Sequence, residues 1–169
     1  MTTARHPIVN LDAIRFERKL EHGERFGAVV APVGANIGAR KLGYNVTRVA
    51  PGKRAFPFHS HHVGEEMFFI LEGQGVLRFG AAEHAVRRGD FVACPPGGPE
   101  VAHQFVNTGD TELLFIAVST RHDADVWEYP DSGKFGAIAG VDLAAWPPQA
   151  TFPSRFVRDG AGVDYWEGE

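Results

Sequence analysis

The chain has 169 residues, of which 44% are hydrophobic and 22% charged, and its formal net charge at pH 7 is -4. These values fit one globular domain with its own core, with or without flanking arms. The acidic balance excludes the concentrated basic face of a nucleic-acid-binding protein, and no apolar run approaches the roughly 20 residues of a membrane-spanning helix. The single cysteine, Cys94, excludes an intrachain disulfide. No N-terminal stretch combines a basic start with an apolar run, so we expect no signal peptide and a cytoplasmic location.

Along the chain, residues 1–43 show no sustained period and predict an N-terminal arm with short strands that packs on the main domain. From Tyr44 onward, short alternating runs are separated by turn signals at roughly ten-residue spacing, which is typical of an all-β sandwich or barrel. The predicted strands of this core, residues 44–119, are 44–49, 66–72, 75–79, 82–86, 91–94, 102–107 and 113–119. Gly73-Gln74 predicts a hairpin turn between two of them.

The chain changes character after Ser119. Residues 120–169 hold all three tryptophans and two of the three tyrosines. We predict an irregular C-terminal tail wrapped on the barrel, with a short helix near 141–146.

Three histidines and a glutamate form a candidate metal site. On an extended segment, His59 and His61 project from the same face with Cα atoms about 6.6 Å apart. Glu66 begins the next strand, and His103 lies far along the chain on another strand. Imidazole with carboxylate suits Zn, Fe, Mn or Ni better than Ca or Mg, so we predict one divalent transition metal ion. Four protein ligands on an octahedral ion would leave two positions for water or substrate.

The spacing of these residues resembles the two motifs of the cupin superfamily. The first motif is carried by Gly52, His59, His61, Glu66 and Gly73. The second is carried by Gly89, Pro95, Gly97, His103 and Asn107. One extra residue lies between Gly52 and His59, and three extra residues lie between Gly97 and His103. The resemblance covers about residues 44–119. It implies a double-stranded β-helix, or jelly-roll barrel, with His59, His61, Glu66 and His103 as ligands. The segments 128–134 and 163–168 also resemble those of small single-domain cupins, which implies kinship and no particular activity.

Two neighbouring residues compete with this ligand set. Glu65 could replace Glu66, but strand parity favours Glu66, which shares a face with Phe68 and Ile70. His62 follows His61 directly and should point away from the ion, as a rim residue or, alternatively, as a proton shuttle.

The predicted pocket has apolar walls and several candidate polar groups. We expect Phe68, Ile70 and Phe105 to line the metal site. Tyr44 and Arg48 share a face of their strand; facing inward they could hydrogen-bond an anionic substrate, and facing outward they would be solvated. Tyr44, His62 or Glu72 could serve as a base, and the sequence does not choose among them. Met67, Phe69 and Leu71 make the opposite face of the strand apolar too, from which we expect a homodimer.

Three functions fit such a site. One is a metal-dependent isomerase of a sugar or sugar phosphate, in which the ion polarises a carbonyl while a base moves a proton. A second is an iron-dependent dioxygenase. The third is a non-enzymatic module that binds a small molecule through the ion. The expected partner is a small molecule rather than a nucleic acid or a membrane.

Overall fold

The computed structural model describes residues 6–143 and 149–168, and nearly all of its regular structure is β-strand. The strands are β1 (Arg18–His22), β2 (Phe26–Ala31), β3 (Leu42–Val49), β4 (Ser60–His61), β5 (Glu66–Glu72), β6 (Gln74–Phe79), β7 (Ala82–Arg87), β8 (Phe91–Cys94), β9 (His103–Val106), β10 (Leu113–Thr120), β11 (Ala124–Tyr129), β12 (Lys134–Val141) and β13 (Ala150–Arg158). One short helix, α1 (Val33–Ile37), and 3-10 turns at Leu11–Ala13, Pro99–Val101 and Pro130–Ser132 complete the described elements. In this part of the chain no helix has the length or the apolar character needed to cross a bilayer.

The strands form two walls. One is a six-stranded antiparallel sheet in the order β1-β2-β3-β10-β5-β8. The other consists of a four-stranded sheet, β13-β12-β11-β4, and a three-stranded sheet, β7-β6-β9. An antiparallel bridge between His59 and His103 joins these two sheets, with mutual backbone hydrogen bonds of 3.3 and 2.8 Å. The all-β jelly-roll prediction is confirmed.

Aromatic side chains from both walls meet in the core. Phe68 and Phe115 project from the six-stranded sheet, and Phe105 projects from β9 on the facing wall. The three rings lie 4.7–5.8 Å apart between centroids, and all three are at least 97% buried. Because successive strand residues point to opposite faces, the even-numbered residues of β5 from Glu66 to Ile70 face this interior. The other face of β5 carries Phe69, whose ring packs 4.4 Å from the 74%-exposed Phe91. Homodimerisation stays a prediction.

The Gly73 turn corrects one sequence prediction. Strands β5 and β6 do not pair as a hairpin, because β5 lies between β10 and β8 while β6 lies between β7 and β9. Gly73 adopts φ +80°, and a Cβ there would collide with the Glu112 carbonyl. The chain therefore uses this glycine to cross from one wall to the other.

The C-terminal region is more regular than the predicted irregular tail. Strands β11, β12 and β13 form an antiparallel sheet that docks on β4 at His61 and Ser60. Arg78 of β6 holds this sheet through a bidentate ion pair with Asp131, at 2.7 and 2.9 Å. The predicted helix near 141–146 begins where β12 ends at Val141, and residues 144–146 lie outside the described residues.

Candidate metal centre

Three of the four predicted ligands converge in the interior. One potential ligand atom from each of His59, His61 and Glu66 lies within 4.8 Å of the others. The histidines come from the bridge and β4 on one wall, and Glu66 begins β5 on the other. An ion bound here would therefore connect the two walls of the barrel.

His103, at the start of β9, lies directly against this group. Its Nε2 is 3.0 Å from Glu66 Oε2, and its ring centroid is 4.9 Å from that of His59. Its side chain is only 4% exposed. The backbone bridge between His59 and His103 fixes the separation of the two rings, although 44 positions separate them in the sequence.

All three imidazoles are oriented in the same way by hydrogen bonds. Since a carbonyl or carboxylate oxygen only accepts, each Nδ1–H donates: His59 to Pro57 O at 2.8 Å, His103 to Val101 O at 3.3 Å and His61 to Asp125 Oδ2 at 2.6 Å. Hydrogen bonding through Nδ1 leaves the Nε2 atom of each ring for the site, and for His61 and His103 this atom lies 3.5 and 3.0 Å from Glu66 Oε2. Such partners on the far nitrogen fix the tautomer and the ring orientation of metal-ligating histidines.

The protonation states of His59 and Glu66 suit the binding of a cation. Burial, reinforced by the nearby His103, lowers the pKa of His59 to about 4, so its imidazole is neutral at pH 7 and free to coordinate. Burial opposes ionisation of Glu66, but the hydrogen bond with His103 and the neighbouring imidazoles hold its pKa below the ordinary value. Burial opposes the charge on His61, but the hydrogen bond with Asp125 and the charges of Glu66 and Asp125 raise its pKa, so metal binding there would release a proton. A carboxylate together with imidazole nitrogens is the donor set that first-row transition metals take. The residues present fit the predicted ion.

Strand β11 supplies a layer of side chains behind the histidines. Asp125, Trp127 and Tyr129 alternate along the strand and so share one face. Asp125 accepts from His61, Trp127 meets the His61 ring edge-on at 6.2 Å, and the Tyr129 ring stacks on His59 at 5.9 Å. Burial opposes the charge on Asp125, yet the hydrogen bond from His61 keeps the pKa of this carboxyl below its usual value. Burial, with the charge of Asp125, raises the pKa of Tyr129, which therefore stays protonated at neutral pH.

The predicted apolar wall lies beneath the site. Phe68, Ile70 and Phe105 are all buried, and the Phe68 ring packs 5.5 Å from that of His103. Phe105 contacts Phe68 at 4.9 Å, one layer further from the histidines. Ile70 lies further along β5 in the same core cluster.

Tyr44 and Arg48 lie on the opposite face of the six-stranded sheet. Tyr44 pairs with Val118 of β10, which pairs in turn with Met67 of β5. Paired residues point to the same face of a sheet, so Tyr44 shares the outer face with Met67. The inward-facing Phe68 pairs instead with Ala117. The inward orientation of Tyr44 and Arg48 is therefore wrong. Arg48 instead pairs with Glu112 at 3.3 Å and covers the Phe16 ring at 4.1 Å. Tyr44 lines an outer cavity of about 490 Å³ beside α1.

The other candidate bases also lie away from the ligands. Glu72 is exposed at the far end of β5, six residues or about 20 Å along the strand from Glu66. His62 is exposed on the outer face and pairs with Glu128, its Nε2 lying 2.6 Å from Oε1. Glu65 is exposed, and its backbone N–H donates to Thr120. These positions support the expected rim location of His62 and the choice of Glu66 over Glu65.

Asp125, Trp127 and Tyr129 were missed as site residues because the C-terminal region was predicted to be irregular. Their signal was present as an alternation with Val126 and Glu128, which is the pattern of a strand with two distinct faces. What the sequence could not show is that this strand pairs with β4 and so brings Asp125 to His61 across 64 positions.

Comparisons with known proteins agree with this architecture. Residues 45–119 match the model of the cupin domain family. An uncharacterized protein of Methanocaldococcus jannaschii is 33% identical over 74 aligned residues. The alignment covers 41% of this chain and 57% of that protein's length. The structure of a sugar phosphate isomerase of the cupin superfamily from Silicibacter pomeroyi superposes with a TM-score of 0.74 and 26% identity, covering 94% of this chain and 98% of that one. The structure of a putative sugar phosphate isomerase from Acidithiobacillus ferrooxidans superposes with a TM-score of 0.75 and 24% identity. The match covers 95% of this chain and 97% of that one. Residues 45–119 of the chain therefore form a cupin domain.

Proposed function

We propose that the protein is a metal-dependent isomerase of small sugar phosphates, with His59, His61, Glu66 and His103 holding the ion. The observation that carries this proposal is the convergence of the His59, His61 and Glu66 ligand atoms between the two walls. His103 Nε2 lies 3.0 Å from Glu66 Oε2, and each of the three imidazoles is hydrogen-bonded through Nδ1. A structural zinc site would more commonly be closed and cysteine-rich.

The choice of reaction has two supports. The solved structure that is 26% identical over nearly the whole chain bears the name sugar phosphate isomerase. When bound, the ion would act as a Lewis acid that polarises a substrate carbonyl. Tyr129 stacks on His59 and keeps its phenolic proton, so it suits a role as hydrogen-bond donor to a substrate oxygen rather than as a base.

Aldose–ketose isomerisation by proton transfer can be detected as exchange of a carbon-bound proton with the solvent. The metal-loaded protein, incubated in D2O with a panel of aldose and ketose phosphates, should interconvert one pair and exchange the carbon-bound proton at C1 or C2, as followed by 1H NMR. The His59→Ala variant serves as the inactive control.

Turnover with exchange in the wild type, abolished by His59→Ala, supports the isomerase. Failure of every pair to react or exchange contradicts it, and oxygen consumption by the iron-loaded protein would replace it with the dioxygenase.

A further inference from the structure

The sheet formed by β4, β11, β12 and β13 presents rows of side chains on the face that carries the histidines. In one row, His61 is opposite Trp127, Trp127 is opposite Gly136 and Gly136 is opposite Phe156. A Cβ on Gly136 would lie 2.7 Å from Phe156 and 3.2 Å from Trp127, so glycine allows the two rings to approach. This row forms an aromatic floor that leads away from the metal centre.

The adjacent row carries positive charge on the same face. Tyr129 is opposite Lys134, and Lys134 is opposite Arg158. The Lys134 Nζ lies 5.0 Å from the Tyr129 ring centroid and 5.8 Å from that of Phe156, which confirms the side on which it projects. The Tyr129 ring is itself 5.9 Å from the ring of His59, so the Lys134 ammonium and this predicted metal ligand contact the same aromatic ring.

Neither cation has an acidic partner among the ion pairs of the described residues. Lys134 is half-buried against the two rings, and Arg158 donates one N–H to the Ser132 carbonyl at 3.2 Å. Arg78, by contrast, is fully engaged by Asp131. A partly desolvated ammonium without a counter-ion attracts an anion more strongly than one in bulk water.

We infer that Lys134, assisted by Arg158, binds the phosphate group of a substrate whose carbonyl end lies at the metal centre. This inference rests on the proposed function and adds the recognition site for the phosphate. Two cations suit a dianion: the ammonium acts as a point charge, and the guanidinium can donate in a fork.

Inorganic phosphate is the probe that tests this site without requiring turnover. Its binding to the metal-loaded protein is measured by isothermal titration calorimetry, for the wild type and for Lys134→Gln, Arg158→Gln and Arg155→Gln. Loss of one charge-assisted contact should weaken phosphate binding about tenfold or more in Lys134→Gln, and by less in Arg158→Gln. Arg155 is the matched control, since it lies on β13 opposite Ala137 and faces the other way; its variant should bind phosphate as the wild type does.

The same titration on His59→Ala separates the cation pair from the ion. Phosphate binding that survives in His59→Ala and falls in Lys134→Gln supports the inference. Binding lost in His59→Ala but kept in Lys134→Gln, no binding by the wild type, or equal losses in Lys134→Gln and Arg155→Gln would overturn it. Lys134-dependent phosphate binding without turnover of any sugar phosphate contradicts the isomerase alone, whereas turnover with an unchanged KM in Lys134→Gln contradicts the phosphate site alone.

Discussion

The cupin domain of residues 45–119 and the C-terminal sheet of β11–β13 build the same centre in different ways. The cupin domain contributes all four predicted ligands, fixed between buried walls. The C-terminal sheet contributes the carboxylate behind His61, the ring against His59 and an exposed aromatic face. The difference indicates that the four candidate ligands belong to the cupin domain, whereas the carboxylate partner of His61 and the ring stacked on His59 come from outside it.

The largest expected effect is removal of a ligand from the cupin domain. His59→Ala or His103→Ala should abolish most metal binding, because each removes one of four donors from a buried site. Metal content is measured by mass spectrometry on purified protein, with circular dichroism to confirm folding. His62→Ala and Glu65→Ala are the controls and should retain the metal. Equal loss in all four variants would contradict the assignment.

The two regions should also differ sharply in stability. Phe115→Ala empties a fully buried position of the barrel core and should lower the free energy of unfolding by about 3–5 kcal/mol. Phe156→Ala alters a ring that is 57% exposed and should cost about 1 kcal/mol or less. Urea denaturation of both variants measures the difference. Comparable losses would mean that β13 is as much a part of the core as β10.

A matched pair of carboxylates tests how the C-terminal sheet acts on the ion. Asp125 and Glu128, both on β11, each lie 2.6 Å from an imidazole nitrogen, but only the partner of Asp125 is a predicted ligand. Asp125→Ala should weaken metal affinity about 10- to 100-fold, as loss of a partner behind a ligating histidine does. Glu128→Ala should leave it unchanged. Chelator competition measures both, and an equal decrease would argue that strand β11 acts only through general stability.

The smallest effect concerns the ion pair that ties the C-terminal sheet to β6. The hydrogen bonds from Arg78 lower the pKa of Asp131, so its contribution to stability is present above the unfolded-state pKa, about 3.9, and is lost as pH falls through the folded value. Because Asp131 is half-exposed, we expect Asp131→Asn to cost less than about 1 kcal/mol at pH 7.

That cost should shrink toward zero as the solution is acidified. Thermal melts of wild type and Asp131→Asn between neutral and acidic pH measure it, with Asp110→Asn, at an exposed turn residue, as the control. A difference that grows in acid would show that the pair does not act through the ionised carboxylate.

The sequence predicted the barrel well because its strands alternate cleanly and its turns are marked by glycine. Strand β5 begins and ends at the predicted residues. Its parity favoured Glu66 over Glu65, as did the seven-residue interval from Glu66 to Gly73. The orientation of Tyr44 and Arg48 could not be predicted, because both faces of β3 carry partly apolar residues and either could have faced inward. Asp125 was beyond reach for another reason: its role depends on the pairing of β11 with β4, which local pattern does not encode.

Anomalous diffraction from crystals of the metal-loaded protein measures directly where the ion binds. We predict one strong peak between the walls, about 2.0–2.2 Å from Nε2 of His59, His61 and His103 and from a Glu66 oxygen. A peak bound elsewhere, or one that leaves any of these four residues uncoordinated, would contradict it.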